Sequence, residues 1–196
     1  LEQRLIALEN QEFGSAFTTK KALNAFIPSL LIRLQKVITR TMVLELNIAR
    51  LIGDLQGEDN QSRFQSFIAK LENTEFIAKI LNEYPVLSDC INDAINQWSN
   101  YCFETLSRLQ QDYQLIDATF GSNNKNIGQL EKLLGDQGDC HNNGRSVAVI
   151  QFSCGLKVVY KPRSLALDNA YNDFITYVDK QSGLPALKTF KVLEYS

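Results

Sequence analysis

One stretch of the chain concentrates residue types that handle anions and protons. Gly138-Asp139-Cys140-His141-Asn142-Asn143-Gly144-Arg145 is followed by two β-branched runs and then by Tyr160-Lys161-Pro162-Arg163-Ser164. Between residues 139 and 163 there are four cations (Arg145, Lys157, Lys161, Arg163) against one acid, Asp139, in a chain of net charge −2. A loop rich in Gly and Asn can turn backbone N–H groups toward an anion. An imidazole exchanges protons near neutral pH. Each residue also has a plainer reading. Lys161 and Arg163 would serve as exposed cations on an edge strand. His141 would be solvated or cap a turn, Asp139 would close an Asx turn, and Gly144 would serve only the turn. The combination favours a phosphate site: acid, imidazole, glycine and guanidinium within seven residues, then a hairpin ending in lysine.

Those residues need elements to hold them. With 196 residues, 44% apolar and 21% charged, the chain is a globular domain, or one and part of another, and not a disordered polypeptide. The near-neutral charge gives no general pull toward nucleic acid or anionic membrane. The longest apolar run, Ala25 to Ile32, is broken by Pro28 and ended by Arg33, far short of the roughly 18 residues a span requires. Four cysteines include no C-x-x-C pair, and His141 is the sole histidine. A structural metal site is therefore not expected, and reduced thiols point to a cytosolic compartment.

Six of ten glycines fall within residues 121–155. Gly and Pro weaken helix interiors, so the first 121 residues are expected to be helical and the rest mixed. Leu87, Ile91, Ile95, Trp98, Cys102, Leu106, Leu109, Tyr113 and Ile116 recur every 3.6 residues or so, predicting a helix from near Pro85 to Phe120. Pro85 suits its first turn. Phe64, Phe67, Ile68 and Leu71 mark a helix over 60–72, and 74–83 forms another. A longer helix runs from about Lys20 to Leu55, bent near Pro28 and ended by Gly53 or Gly57. Glu104 and Arg108, four residues apart, are expected to pair on a solvated face.

Beyond residue 126 the pattern turns β-branched. Strands are expected over Ser146–Phe152 and Leu156–Lys161 around a tight Ser153-Cys154-Gly155 turn, with a weaker strand over Ile127–Leu134. Leu167 to Lys180 reads as a helix with Ala170, Phe174, Ile175 and Val178 inward, and Leu187 to Glu194 returns to strand. The fold class is α+β: a helical region over 1–121, then a small antiparallel sheet with one helix over 127–196. Leu1 to Glu12 reads as uncapped helix and the last residues as a strand, so the sequence is expected to be part of a longer protein.

In protein kinases a lysine on the third strand, after a glycine-rich loop between the first two, neutralises nucleotide phosphates. The same parts occur here in the same order, and the helix 167–180 stands where the kinase αC helix would. More specifically, Asp139-x-His141-x-x-Gly144-Arg145, followed by Gly155-x-Lys157-x-Val159 and Tyr160-Lys161-Pro162-Arg163-Ser164-Leu165, closely resembles the dehydratase domain of type 2 lanthipeptide (lantibiotic) synthetases. The resemblance extends upstream through Leu44-Glu45-Leu46-Asn47, Arg63-Phe64, Tyr84-Pro85-Val86-Leu87, Trp98, Glu104, Arg108 and Asp112, and downstream to Lys191-Val192-Leu193.

That resemblance implies a lipid-kinase-like fold, of which this chain would hold the helical region and most of an N-lobe. It implies a bacterial cytoplasmic enzyme that phosphorylates Ser and Thr of a ribosomal precursor peptide, leader and core, with ATP and Mg²⁺. The same site then eliminates phosphate to give dehydroamino acids. Zinc would belong only to a separate cyclase domain, absent here. Carried over by position, Lys161 is the nucleotide-phosphate lysine, and Asp139 and His141 are a site pair handling phosphorylated peptide. His141 is as well suited to binding phosphate as to acting as a base. Gly144 and Arg145 belong to the same loop motif and Arg163 faces phosphate or is structural. The acidic partner of Lys161 is expected to be Asp173, with Asp168 second. No H-R-D or D-F-G analogue occurs, so the catalytic acid and the Mg²⁺ ligands are expected from the remainder of the same polypeptide, and this piece alone is expected to be inactive. Two other readings stand beside it: a non-catalytic helical peptide-binding scaffold, and a small-molecule kinase of related fold.

Overall fold

The computed structural model describes residues 1–10, 16–121, 126–135, 143–182 and 187–194. Five helices come first: α1 (Glu2–Glu9), α2 (Thr19–Leu51), α3 (Asn60–Leu71), α4 (Thr74–Glu83) and α5 (Pro85–Phe120). Strands β1 (Leu130–Leu134), β2 (Ala148–Phe152) and β3 (Lys157–Tyr160) follow, then α6 (Ala166–Ser182). The fold is thus mainly helical with a small antiparallel sheet, as the α+β reading expects.

Local chemistry accounts for the helix ends. Proline at the first position of α5 loses no hydrogen bond there. The other end closes with Gly121 N–H donating to the Asp117 carbonyl at 2.8 Å. Helix α2 stops at Leu51, earlier than the sequence reading. Gly53, at φ +73, donates to Arg50 O, and Asp54 N–H donates to Ala49 O. That pair of bonds needs a left-handed residue, which glycine supplies without strain. Asp59 caps α3 in a reciprocal arrangement with Ser62, and Asn73 caps α4 by accepting from Glu75 and Phe76 N–H.

Two compact units emerge: Leu1–Ser29 with Trp98–Ser196, and Leu30–Gln97. In the second unit α3 meets α4 through an edge-to-face Phe67–Phe76 pair at 6.4 Å. The Tyr84 hydroxyl donates to Glu45 at 2.6 Å, a bond that pushes its pKa up to about 12.

In the first unit the α5 stripe forms the floor. Trp98, Cys102, Leu106, Leu109 and Ile116 are buried, as are Phe17, Phe26, Ile127 and Leu130. Trp98 donates to Phe26 O and Ser29 Oγ, and Phe26 meets Tyr101 edge-on at 6.2 Å. The sheet has order β1-β2-β3. Ala148, Ile150 and Phe152 of β2 turn alternate side chains into the core. β2 and β3 pair from Ala148↔Tyr160 to Gln151↔Lys157. The turn between them closes at Gly155 N–H to Phe152 O, 2.8 Å, with Gly155 at φ +90.

Two expectations need correction. Residues 187–194 are not a strand. Their main chain is held instead by side chains of α6: Asn172 donates to Phe190 O and accepts from Phe190 N–H, and Asp179 accepts from Leu187 N–H. The inward face of α6 also differs from the expected one. Ile175 is buried and Val178 half-buried, but Phe174 is 60% exposed and Ala170 is exposed too. The inward face carries Asp168, Asn172 and Asp179 because those polar groups have partners there.

Leu106, fully buried on α5, should lose about 2–5 kcal/mol of stability as Leu106→Ala. Leu115 on the same helix is 49% exposed, and Leu115→Ala should cost about 0.5 kcal/mol or less. Urea denaturation of the two variants measures the contrast, and equal losses would contradict this burial pattern.

Candidate functional site

Strand β3 ends at Tyr160, and the chain turns over Pro162 with Arg163 N–H donating to Lys161 O at 2.8 Å. This brings two cations to the start of α6. Lys161 Nζ donates to Asp168 Oδ1 at 2.7 Å and Arg163 Nη1 to Asp168 Oδ2 at 2.8 Å. Arg163 also donates to Ser164 O, while Ser164 Oγ accepts from Ala166 N–H and donates to Glu194. Asp168 lies in the first turn of α6, where the exposed N–H groups favour an anion. Its carboxyl is held below the ordinary carboxylate range, first by the Lys161 hydrogen bond and then by Arg163. One carboxylate between two cations leaves the cluster with one positive charge in excess.

A second polar cluster lies on α5. Glu104 Oε1 pairs with Arg108 at 2.7 Å, and Glu104 Oε2 with Arg145 Nε at 2.7 Å. Arg108 Nη1 donates to the Tyr160 hydroxyl at 2.6 Å. Glu104 and Arg108 are about three-quarters buried, with side-chain exposures of 22% and 26%. The expectation of a solvated i, i+4 pair is therefore corrected: Arg145 and Tyr160 cover it. Before Arg145, Asn143 and Gly144 both take positive φ, 63 and 80. Asn and Gly are the residue types that tolerate that conformation. Tyr101 fixes the next residue by donating to Ser146 O at 2.9 Å.

A cavity of about 770 Å³ opens between α5, β3, α6 and residues 190–193. Arg108, Asp112, Tyr160, Lys161, Arg163 and Asp168 are among its polar lining, with Lys157 and Lys191. Burial raises the Asp112 pKa, and Arg108 opposes that shift. Gly144 and Arg145 do not line it. Their link to Lys161 runs through Glu104, Arg108 and Tyr160 instead.

Of the residues singled out from sequence, the structure gathers Lys161 and Arg163, and joins Arg145 to them indirectly. The carboxylate on Lys161 is Asp168, not Asp173, which stands exposed further along α6. Seven residues separate Lys161 from Asp168, and the turn through Pro162 brings them together. Asp139 and His141 lie outside the described residues. Glu104 and Tyr160 were missed as site residues. The signal for Glu104 was the row Glu104, Arg108, Asp112 at steps of four beside an apolar stripe, and that for Tyr160 was its place directly before Lys161.

The chain is thus an α+β fold with a cation pair at a hairpin end, held by a carboxylate of the next helix. The comparisons narrow this. The chain belongs to the family described as Domain of unknown function (DUF4135), whose model matches residues 84–196. It is also 26% identical over 148 residues to the Lacticin 481/lactococcin biosynthesis protein LcnDR2 of Lactococcus lactis subsp. lactis. That match covers 74% of this chain and 15% of the relative's length. Together they support the resemblance to the N-terminal region of type 2 lanthipeptide synthetases. No described helix is long and apolar enough to cross a membrane.

Asp168→Asn should make stability less sensitive to acid. A carboxyl whose folded pKa is lowered stabilises the fold above its unfolded value, near 3.8, and loses that contribution as pH falls through the folded value. Thermal denaturation of wild type and Asp168→Asn should therefore diverge most near neutral pH and converge below that value. A gap independent of pH would contradict the ion pairs.

Proposed function

We propose that this chain is part of a lanthipeptide synthetase dehydratase, acting on Ser and Thr of a ribosomal precursor peptide in the bacterial cytoplasm. The observation that carries the reading is Lys161 at the end of β3, held by a carboxylate from the first turn of the following helix. A kinase-like N-lobe uses the same device: an acid on the helix keeps the lysine extended toward nucleotide phosphates. The match to a lantibiotic biosynthesis protein supports the peptide substrate.

Lys161 and Arg163 fit the phosphates of ATP, since their two charges share a single carboxylate. When bound, the nucleotide supplies the phosphoryl group that makes a peptide hydroxyl a leaving group. In the second step a base removes the α-proton, the electron pair forms the Cα–Cβ double bond, and phosphate departs. Lys161 and Arg163 would hold that departing dianion. Asp139 and His141 are assigned to the same step, His141 either as proton acceptor or as phosphate ligand. The Mg²⁺ ligands are assigned to the remainder of the same polypeptide, since Asp168 is already engaged by two cations.

In the full-length enzyme Lys161→Ala should abolish or strongly weaken ATP-dependent peptide modification, read by mass spectrometry; unchanged water loss would refute the reading. His141→Ala should accumulate phosphorylated peptide, seen as mass gain without dehydration. Normal dehydration by that variant would remove His141 from the elimination step.

A further inference from the structure

We propose that Glu104 is a positioning residue that fixes Arg145, at the end of the Asn143–Arg145 turn, relative to Lys161; this rests on the reading that Arg145 and Lys161 serve one phosphate site. Glu104 projects from α5, which neither the turn nor the hairpin belongs to. One oxygen holds Arg145, the last residue of the turn, and the other holds Arg108. Arg108 spends a separate nitrogen on the hydroxyl of Tyr160, the residue before Lys161. A single carboxylate therefore ties the turn, through three side chains, to the end of the strand that carries the lysine.

The hairpin does not require this bridge. β2 and β3 are already registered by four backbone pairs and a tight turn, and the α5 stripe is apolar beneath them. Apolar side chains at 104, 108 and 145 would avoid the cost of withdrawing three charges from water. What ion pairs with fixed donors add is location. The forked guanidinium accepts few geometries, so Arg145 and Tyr160 are held at set positions along α5. A misplaced group at a phosphoryl-transfer site costs rate far more than binding, because the chemistry is positioning and charge stabilisation.

The test is a double-variant cycle in the full-length enzyme, with kcat, the KM for ATP and the melting temperature all measured. Glu104→Gln keeps size and removes charge; Arg145→Met removes its partner. Each should lower kcat about tenfold or more with little change in KM, measured at a temperature where its melting curve shows the variant folded. The double variant should be no worse than the poorer single within about twofold. Turnover of Glu104→Gln within about twofold of wild type, or losses that multiply, would overturn the proposal. If Glu104→Gln does not fold, Arg145→Met combined with Tyr160→Phe carries the same coupling test. Lys161→Ala in the same assay separates the two failures. Inactive Lys161→Ala beside an unaffected Glu104→Gln defeats only the positioning role; active Lys161→Ala defeats the phosphate site itself.

Discussion

The Asp168 carboxylate, shared between Lys161 and Arg163, is the interaction on which the site depends. It joins the end of β3 to the first turn of α6. Without it two like charges would face each other across a short turn, a repulsion that solvent around the half-exposed side chains only partly screens. With it, the lysine is extended and the pair keeps one unit of positive charge. The helix end adds its own preference for an anion at Asp168, so strand, turn and helix agree on one geometry.

The remaining elements make that geometry rigid. α5 supplies an apolar stripe under β2 and a charged row beside it, so one helix is both floor and brace. Three of its polar members are partnered across the fold: Glu104 takes two guanidiniums, Arg108 reaches the Tyr160 hydroxyl and Tyr101 reaches Ser146 O. Buried polar groups without partners are costly, and this network meets that cost by linking segments distant in sequence. Segment 187–194 follows the same economy, taking its hydrogen bonds from Asn172 and Asp179.

The helices were legible because periodicity and end signals are local. The stripe from Leu87 to Ile116 located α5 to the residue, and Ser153-Cys154-Gly155 located the hairpin turn. What failed were features set by tertiary partners. Phe174 and Ala170 fit an apolar face, yet α6 turns Asn172 and Asp179 inward because an extended segment offers them main-chain groups. Residues 187–194 have strand-like composition, but no ladder partner is read from composition. At the site, Lys161 and Arg163 were legible from charge and spacing. Asp168 was ranked behind Asp173 because helical position alone does not show that the chain doubles back at Pro162. Glu104 looked like a surface pair because its cover, Arg145, lies 41 residues away.

The most direct measurement is the reactivity of Lys161 toward an acylating ATP analogue in the full-length enzyme, where the acyl group transfers from the phosphate to a nearby amine. Digestion and mass spectrometry then compare Lys161 with Lys132, an exposed lysine of β1 that does not line the cavity. Acylation concentrated on Lys161 and blocked by excess ATP is the expected result. Equal labelling of both lysines, or labelling of Lys161 that ATP does not suppress, would contradict a nucleotide-phosphate site at the end of β3.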